Sequence, residues 1–235
     1  MKSFGSNYRA CVIGANGAIG AAMLAYFEDD PACEFVHGVR RKSAQDDFGD
    51  FDLRDEASIS RYAEQLQMHG PFHCIVVATG VLHNADFMPE KKLGDLNSAQ
   101  MQETFLVNAI GPTLVLRYFS PLLAKERSVF ACLSAKVGSI QDNRLGGWYS
   151  YRASKAALNM MLKTASIELA RTKPNTVVVA LHPGTVNSAL SKPFKGEQIG
   201  RPAKEAAAEL LAQIDQTLPS DSGTFVAYNG ERLPW

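Results

Sequence analysis

The sequence predicts an α/β protein built on an open, doubly wound parallel sheet. Three observations carry that expectation. Apolar runs of strand length alternate with helical patterns along the whole chain. The inner runs are β-branched and continuous, as parallel strands covered on both faces require. The first apolar run ends in a glycine-rich turn that opens a helix.

Taken in order, Tyr8 to Ile13 is a short apolar strand, and Gly14-Ala15-Asn16-Gly17-Ala18-Ile19-Gly20 follows it before the helical segment Ala21 to Phe27. Gly14, Gly17 and Gly20 make Gly-x-x-Gly-x-x-Gly. Glycine lets the backbone turn tightly and approach a pyrophosphate, whose charge the helix N-terminus favours. Cys33 to Val39 reads as the second strand and ends at Arg40-Arg41-Lys42. A dinucleotide site reads its ribose at that strand end, where an acidic residue would bond the 2′-hydroxyl of NAD. The basic pair Arg40 and Arg41 suits the 2′-phosphate of NADP instead, through paired N–H donors. A solvated basic turn is the other reading of the same charges.

Phe48 to Leu53 is expected as a short third strand ending at Asp52-Leu53, with a helix from Asp55 to Met68 after it. Phe72 to Ala78 is the next buried strand and stops at Thr79-Gly80, where bare backbone can meet a ribose. Leu82 to Asn97 reads as a surface loop, and its His83 has no ligand-like neighbours. Ser98 to Phe119 is a long helix containing Asn108, bent or restarted near Gly111-Pro112 because proline removes a helix N–H.

Ser128 to Leu133 is a further strand, ending at Ser134-Ala135, and a glycine-rich connection over Gly138 to Gly147 leads to Trp148-Tyr149-Ser150-Tyr151-Arg152. The helix that follows, strongest over Ala153 to Leu169, places Tyr151 and Lys155 four apart on one face. An ammonium beside a phenol favours the phenolate, which suits a tyrosine to proton transfer. Thr176 to Leu181 is a strand ending in His182-Pro183-Gly184-Thr185-Val186-Asn187-Ser188. A helix over Lys204 to Gln216 and a strand over Gly223 to Tyr228 complete the pattern before the tail Asn229 to Trp235. No repeat, low-complexity tract or linker divides the chain, so one domain over residues 1–235 is expected.

Composition narrows the function classes. Lys plus Arg and Asp plus Glu number 24 each, so no net field draws the chain to nucleic acid or an acidic membrane. Met1 to Tyr8 leaves no room for a signal peptide, and no apolar run reaches membrane-spanning length. Cys11, Cys33, Cys74 and Cys132 stand singly and read as reduced, buried small hydrophobes rather than disulfide or metal ligands. A cytoplasmic protein without a metal is the expectation.

These motifs, in this order, resemble the short-chain dehydrogenase/reductase family over nearly the whole chain. The likeness rests on the Gly14, Gly17, Gly20 turn, Asp52, Val77-Ala78-Thr79-Gly80, Asn108, the strand-end serine, Tyr151 with Lys155, and Pro183-Gly184. Within the family, Gly138-Ser139-Ile140, Gly146 to Arg152 and Leu181 to Val186 resemble the branch related to C-factor signalling proteins. The resemblance implies a Rossmann-type fold and hydride transfer between NADP, with NAD an alternative, and a small carbonyl or alcohol substrate. It implies that Tyr151 gives or takes the proton, that Lys155 lowers its pKa and bonds the nicotinamide ribose, that Ser134 donates to the substrate oxygen, and that Asn108 orders a water.

Cofactor contacts are implied at Gly14, Asn16, Gly17, Ala18, Ile19, Gly20, Arg40, Arg41, Asp52, Leu53, Ala78, Thr79, Gly80, Tyr151, Lys155, Pro183, Gly184, Val186 and Ser188. A homodimer or homotetramer is implied through the helices Ser98 to Phe119 and Ala153 to Ala170. Asn187 to Gly200 is expected to roof the substrate pocket, with Trp148 and Tyr149 as walls. The chain departs from the family at three places. Ala18 stands where glycine is usual, Val77-Ala78-Thr79-Gly80 lacks both asparagines, and Ala135 occupies the place of the second, catalytic serine. That role is left to Ser134, to Ser139 or to neither. If to neither, a nucleotide-binding signalling protein with weak or no reductase activity is the alternative function.

Overall fold

The computed structural model describes residues 1–41 and 48–235. Six parallel strands form one sheet in the order β2-β1-β3-β4-β5-β6. They are β1 (Tyr8–Ile13), β2 (Cys33–Val39), β3 (Cys74–Val77), β4 (Ser128–Leu133), β5 (Thr176–His182) and β6 (Thr224–Ala227). The helices are α1 (Ala18–Glu28), α2 (Glu56–Leu66), α3 (Ser98–Phe105), α4 (Gly111–Phe119), α5 (Tyr149–Thr172), α6 (Gly196–Ile199) and α7 (Ala203–Gln216).

Strand residues point alternately to the two faces, and the core divides accordingly. Phe130 and Cys132 of β4 and Val178 and Ala180 of β5 join one apolar cluster, which takes in Ile59 and Leu66 of α2, Val115 and Phe119 of α4, and Leu158 and Leu162 of α5. Val129, Ala131 and Leu133 face the other way with Val177, Val179 and Leu181, against Met23, Leu24 and Phe27 of α1 and Leu210, Leu211 and Ile214 of α7. Both faces of β4 are therefore dry, which explains its unbroken apolar sequence.

The expected third strand is not formed. Phe48 to Leu53 runs as irregular chain and turn, and Lys42 of the basic triplet lies outside the described residues. Asp52 donates its N–H to Ser58 Oγ at 2.8 Å and accepts from Arg54 N–H at 3.0 Å, so its polar groups are met locally rather than by a sheet neighbour. Leu53 instead packs on Gly111, where an added Cβ would stand 2.7 Å from Leu53 Cβ.

Two further boundaries move. Helix α1 starts at Ala18, so Ala18, Ile19 and Gly20 belong to its first turn. The helix over residues 98–119 changes pitch rather than stopping, with a π-helical turn over Leu106–Ile110 between α3 and α4. Pro112 has no N–H to offer the carbonyl of Asn108 four residues earlier, and Gly111 N–H bonds Leu106 O across the wider turn. Cys11, Cys74 and Cys132 are buried and Cys33 half-buried, all as free thiols.

Candidate active site

Strand order reverses direction between β1 and β3, and the crevice at their carboxyl ends is the natural ligand site of such a sheet. Gly14 turns the chain out of β1 at φ +90°, a left-handed conformation glycine tolerates. An added Cβ on Gly14 would meet Thr79 Cγ2 at 2.7 Å and the Ala78 carbonyl at 2.9 Å. Gly20 is tighter still, with 2.3 Å from an added Cβ to the Gly14 carbonyl oxygen. This close approach seats the first turn of α1 on the strand end.

Two adjoining cavities open here. The smaller, of 460 Å³, is bounded by Gly14, Asn16 and Gly17 from the turn, Arg40 and Arg41 from the end of β2, Asp52, Leu53 and Arg54, and Ala78 to Gly80 after β3. The larger, of 810 Å³, shares Gly17, Arg41 and residues Ala78 to Gly80 with it. Ala18 and Ile19, then Ser134, Tyr151 and Lys155, and then Pro183, Gly184, Val186 and Ser188 carry its wall onward. The structure thus gathers nearly all of the expected positions around one crevice. Gly20 and Asn108 line neither cavity. The first is buried under the turn, and the second acts from behind it.

Asn108 is held by backbone and by a neighbouring helix. Its Oδ1 accepts the Val81 N–H at 2.7 Å, and its Nδ2 donates to the Val81 carbonyl at 2.8 Å and to Ser154 Oγ at 3.1 Å. The side chain is fully engaged in tying the end of β3 to α5. Beside the Gly111-Pro112 bend the sequence allows this side chain to hold a water or a backbone carbonyl, and the carbonyl it holds is that of Val81.

The start of α5 is fixed from outside the helix. Trp148 adopts φ +51°, ψ +44°, a left-handed conformation costing a bulky residue of order 1–2 kcal/mol. Its N–H bonds the Glu90 carbonyl at 2.5 Å. The Glu90 carboxylate, only 2% exposed, accepts the Ser150 N–H at 3.2 Å and the Ser150 hydroxyl. A carboxylate at a helix N-terminus satisfies open N–H groups and the dipole together. Trp148 lies edge-on to Tyr151 at 6.2 Å between centroids and against Phe194 at 5.0 Å. Trp148 and Phe194 line the cavity, as do Leu190 and Ile199 from the expected roof, whereas Tyr149 does not.

Lys155 is 2% exposed and donates to the Leu133 carbonyl at 2.9 Å. Its Nζ lies 6.0 Å from the Tyr151 ring centroid. Burial dominates both groups, lowering the Lys155 pKa to about 8 and raising that of Tyr151 to about 12. The expected lowering of the tyrosine pKa by its neighbour is therefore reversed in the protein alone, because removal from water outweighs an ammonium already committed to a carbonyl.

A stability signature follows. Below pH 8 Lys155 is charged in folded and unfolded chains alike, and the folded state bears the whole cost of the buried ammonium. Between that value and the unfolded lysine range the folded protein gives up the proton first, and the cost fades. Stability of the native chain relative to Lys155→Met is expected to rise by about 2 kcal/mol from pH 7 to pH 9.5 in cofactor-free denaturant titrations.

The two serine candidates and Ala135 are separated. Ser134 borders the cavity, but its buried hydroxyl donates to Asn159 Oδ1 at 2.6 Å. Ser139 lies outside the cavity, where its Oγ donates to the Trp235 carbonyl at 3.2 Å and accepts the Asp142 N–H at 3.1 Å. Ala135 itself borders the cavity.

Several lining residues escaped sequence reading. Arg54 and Glu103 form an ion pair at the junction of the two cavities. Lys136 follows Ala135, and its N–H bonds His182 Nδ1 at 3.2 Å. His182 is pushed down to about 4 by burial and by the charges of Lys136 and Arg201. His83 bonds the Leu190 carbonyl at 3.1 Å across the mouth. Adjacency to the Ser134 and Pro183 motifs was the available signal for Lys136 and His182. Nothing local marked Arg54 or Glu103.

Comparison with known proteins identifies the family and the fold. The chain is 34% identical over 184 residues to 1-hydroxy-2-glutathionyl-2-methyl-3-butene dehydrogenase of Rhodococcus sp. strain AD45, covering 78% of each chain. It is 38% identical over 146 residues to C-signal of Myxococcus xanthus, covering 61% of this chain and 83% of that one. Its fold is similar to that of the carbonyl reductase Sniffer of D. melanogaster, with a TM-score of 0.83 at 20% identity over 98% of this chain and 100% of the other. An NADPH-bound carbonyl reductase from chicken fatty liver superposes with a TM-score of 0.82 at 21% identity, over 98% and 95%. The family model described as short chain dehydrogenase matches residues 9–198, from the first strand to the cavity roof, and the chain belongs to that family.

Proposed function

We propose that this oxidoreductase transfers hydride between NADP(H) and a small carbonyl or alcohol substrate, with Tyr151 as the proton donor and acceptor. The observation that carries the reading is that Tyr151 and Lys155 share an 810 Å³ cavity with the glycine turn and the Pro183-Gly184 segment. The residues present fit a dinucleotide. Thr79, which borders both cavities, has a buried hydroxyl without a partner among the described residues. The first turn of α1 carries no side-chain cap, so its N–H groups suit a pyrophosphate. Arg40 and Arg41 line the smaller cavity beside Asp52, and their paired N–H donors suit a 2′-phosphate.

When bound, NADPH supplies the hydride. Glycines 14 and 17 with Ala18 and Ile19 bind the diphosphate, Asp52 and Leu53 border the adenine end, and Ala78 to Gly80, Pro183, Gly184, Val186 and Ser188 frame the nicotinamide half. Tyr151, its proton retained at neutral pH by burial, gives that proton to the substrate oxygen as charge builds there. Lys155 bonds the cofactor ribose and places a positive charge near the phenol. Ser134 reaches the substrate oxygen only by leaving Asn159.

Oxidation of NADPH by a panel of aldehydes and ketones tests this reading, and a panel without turnover sinks it. Replacing Arg40 and Arg41 together by Ala is expected to lower the NADPH-over-NADH ratio of kcat/KM by about tenfold to a hundredfold. A ratio that does not move removes the arginines as the 2′-phosphate site.

Assembly as a dimer or tetramer in the cytoplasm belongs to the same proposal. Exposed Met101, Ile110, Met160, Met161 and Ile167 give the helices of residues 98–119 and 149–172 an apolar outer surface. Light scattering tests this, and a mass of one chain would overturn the assembly. Among the described residues no helix is long and apolar enough to cross a membrane. A second reading, a nucleotide-binding signalling protein with little reductase activity, is favoured by Ala135 and by the likeness to C-signal. Tight NADPH binding with no turnover would select it.

A further inference from the structure

The substrate end of the larger cavity has an unusual charge arrangement. Its walls are largely apolar there, from Leu82, Val137, Trp148, Leu190 and Phe194. Lys136 borders this region, half-buried, and its ammonium has no hydrogen-bond or ion-pair partner among the described residues. The other basic groups nearby are committed. Lys155 bonds the Leu133 carbonyl, and His182 is held neutral with its Nδ1 accepting the Lys136 N–H. Glu103 is the acidic residue in the lining, and it is paired with Arg54 at the cofactor end.

The position of Lys136 is also well defined. Its backbone is pinned by His182, and the turn it begins closes with Gly138 N–H on the Ala135 carbonyl at 2.8 Å and Ser139 N–H on the Lys136 carbonyl at 2.9 Å. That turn rests on the backbone of Lys155, so the lysine and the Tyr151 helix keep a fixed relation.

An ammonium bordering an apolar cavity, with no protein partner among the described residues to give up, pairs with an anionic ligand at little cost. At the same time Ala135 offers no hydroxyl to orient a substrate oxygen, and the Ser134 hydroxyl at the cavity wall is held by Asn159. A charged anchor elsewhere on the substrate supplies orientation by another route. Resting on the reductase reading above, we propose that Lys136 sets the substrate class: the cavity takes carbonyl compounds bearing a carboxylate, which the Lys136 ammonium holds while the carbonyl faces Tyr151.

Benzoylformate and its methyl ester form a test pair that differs in that charge. The native protein is expected to favour the acid in kcat/KM, and Lys136→Met to lower the acid-to-ester ratio by about tenfold or more, chiefly through KM. Lys136→Arg, which keeps the charge, is expected to retain most of the preference. A ratio equal in the native protein and Lys136→Met overturns the proposal.

Binding of benzoate and benzamide, measured by calorimetry with and without NADP, provides a readout independent of turnover. Loss of about tenfold in benzoate affinity in Lys136→Met, with benzamide little affected, supports the anion site even if neither carbonyl is reduced. In that event the anion site stands, and the reductase reading is decided by the wider carbonyl panel. Equal benzoate affinity in both proteins overturns the site. A loss of NADPH affinity as large as the loss for benzoate overturns the assignment to substrate and gives Lys136 to the cofactor.

Discussion

Replacing Tyr151 by Phe is expected to reduce NADPH-dependent carbonyl reduction by about 10²–10⁴-fold, the usual worth of a positioned acid. The substitution removes one oxygen and keeps the ring, whose edge contact with Trp148 at 6.2 Å is unaffected. NADPH affinity should therefore hold, and the loss should fall in kcat. Burial raises the pKa of this phenol to about 12, so the proton needed for reduction is in place at neutral pH. Alcohol oxidation needs the opposite protonation state and is expected to gain with rising pH. Steady-state rates in both directions check this, and undiminished reduction by the Phe variant would remove Tyr151 as the proton source.

The second large effect is expected at Gly20. An added methyl there would sit 2.3 Å from the Gly14 carbonyl oxygen, a contact with backbone that no side-chain rotation relieves. Gly20→Ala must push the first turn of α1 off the end of β1, at a cost of about 1–3 kcal/mol in stability. The same displacement opens the pyrophosphate seat, and NADPH affinity is expected to fall by about tenfold or more. Gly94→Ala is the matched control, because an added Cβ at that position meets only Lys92 Cε at 4.0 Å. Fluorescence titration with NADPH separates the two variants. Equal affinity in both would detach the glycine turn from cofactor binding.

Six of the seven expected strands formed, and the reason lies in their sequences. Runs such as Cys74–Val77 and Thr176–His182 have apolar residues on both faces and no other way to satisfy their backbone than a covered sheet. Phe48 to Leu53 has only intermittent apolar residues, and Ser58 and Arg54 meet the polar groups of Asp52 locally. The difference between strand and loop there was a matter of partners, which no local pattern reveals. The same holds for Asn108. Its type and its place beside Pro112 were legible, yet its bonds to Val81 and Ser154 come from segments far apart in the chain.

By itself the sequence determined the doubly wound sheet, the glycine turn at its first strand end and the one-turn spacing of Tyr151 and Lys155, because these follow from local periodicity and backbone sterics. Only the tertiary structure decided what burial does to those two groups, which serine meets the cavity, and that Arg54, Glu103, Lys136 and His182 stand around it. Desolvation and charge pairing depend on distances between residues remote in sequence, and those distances exist only once the sheet has brought its strand ends together.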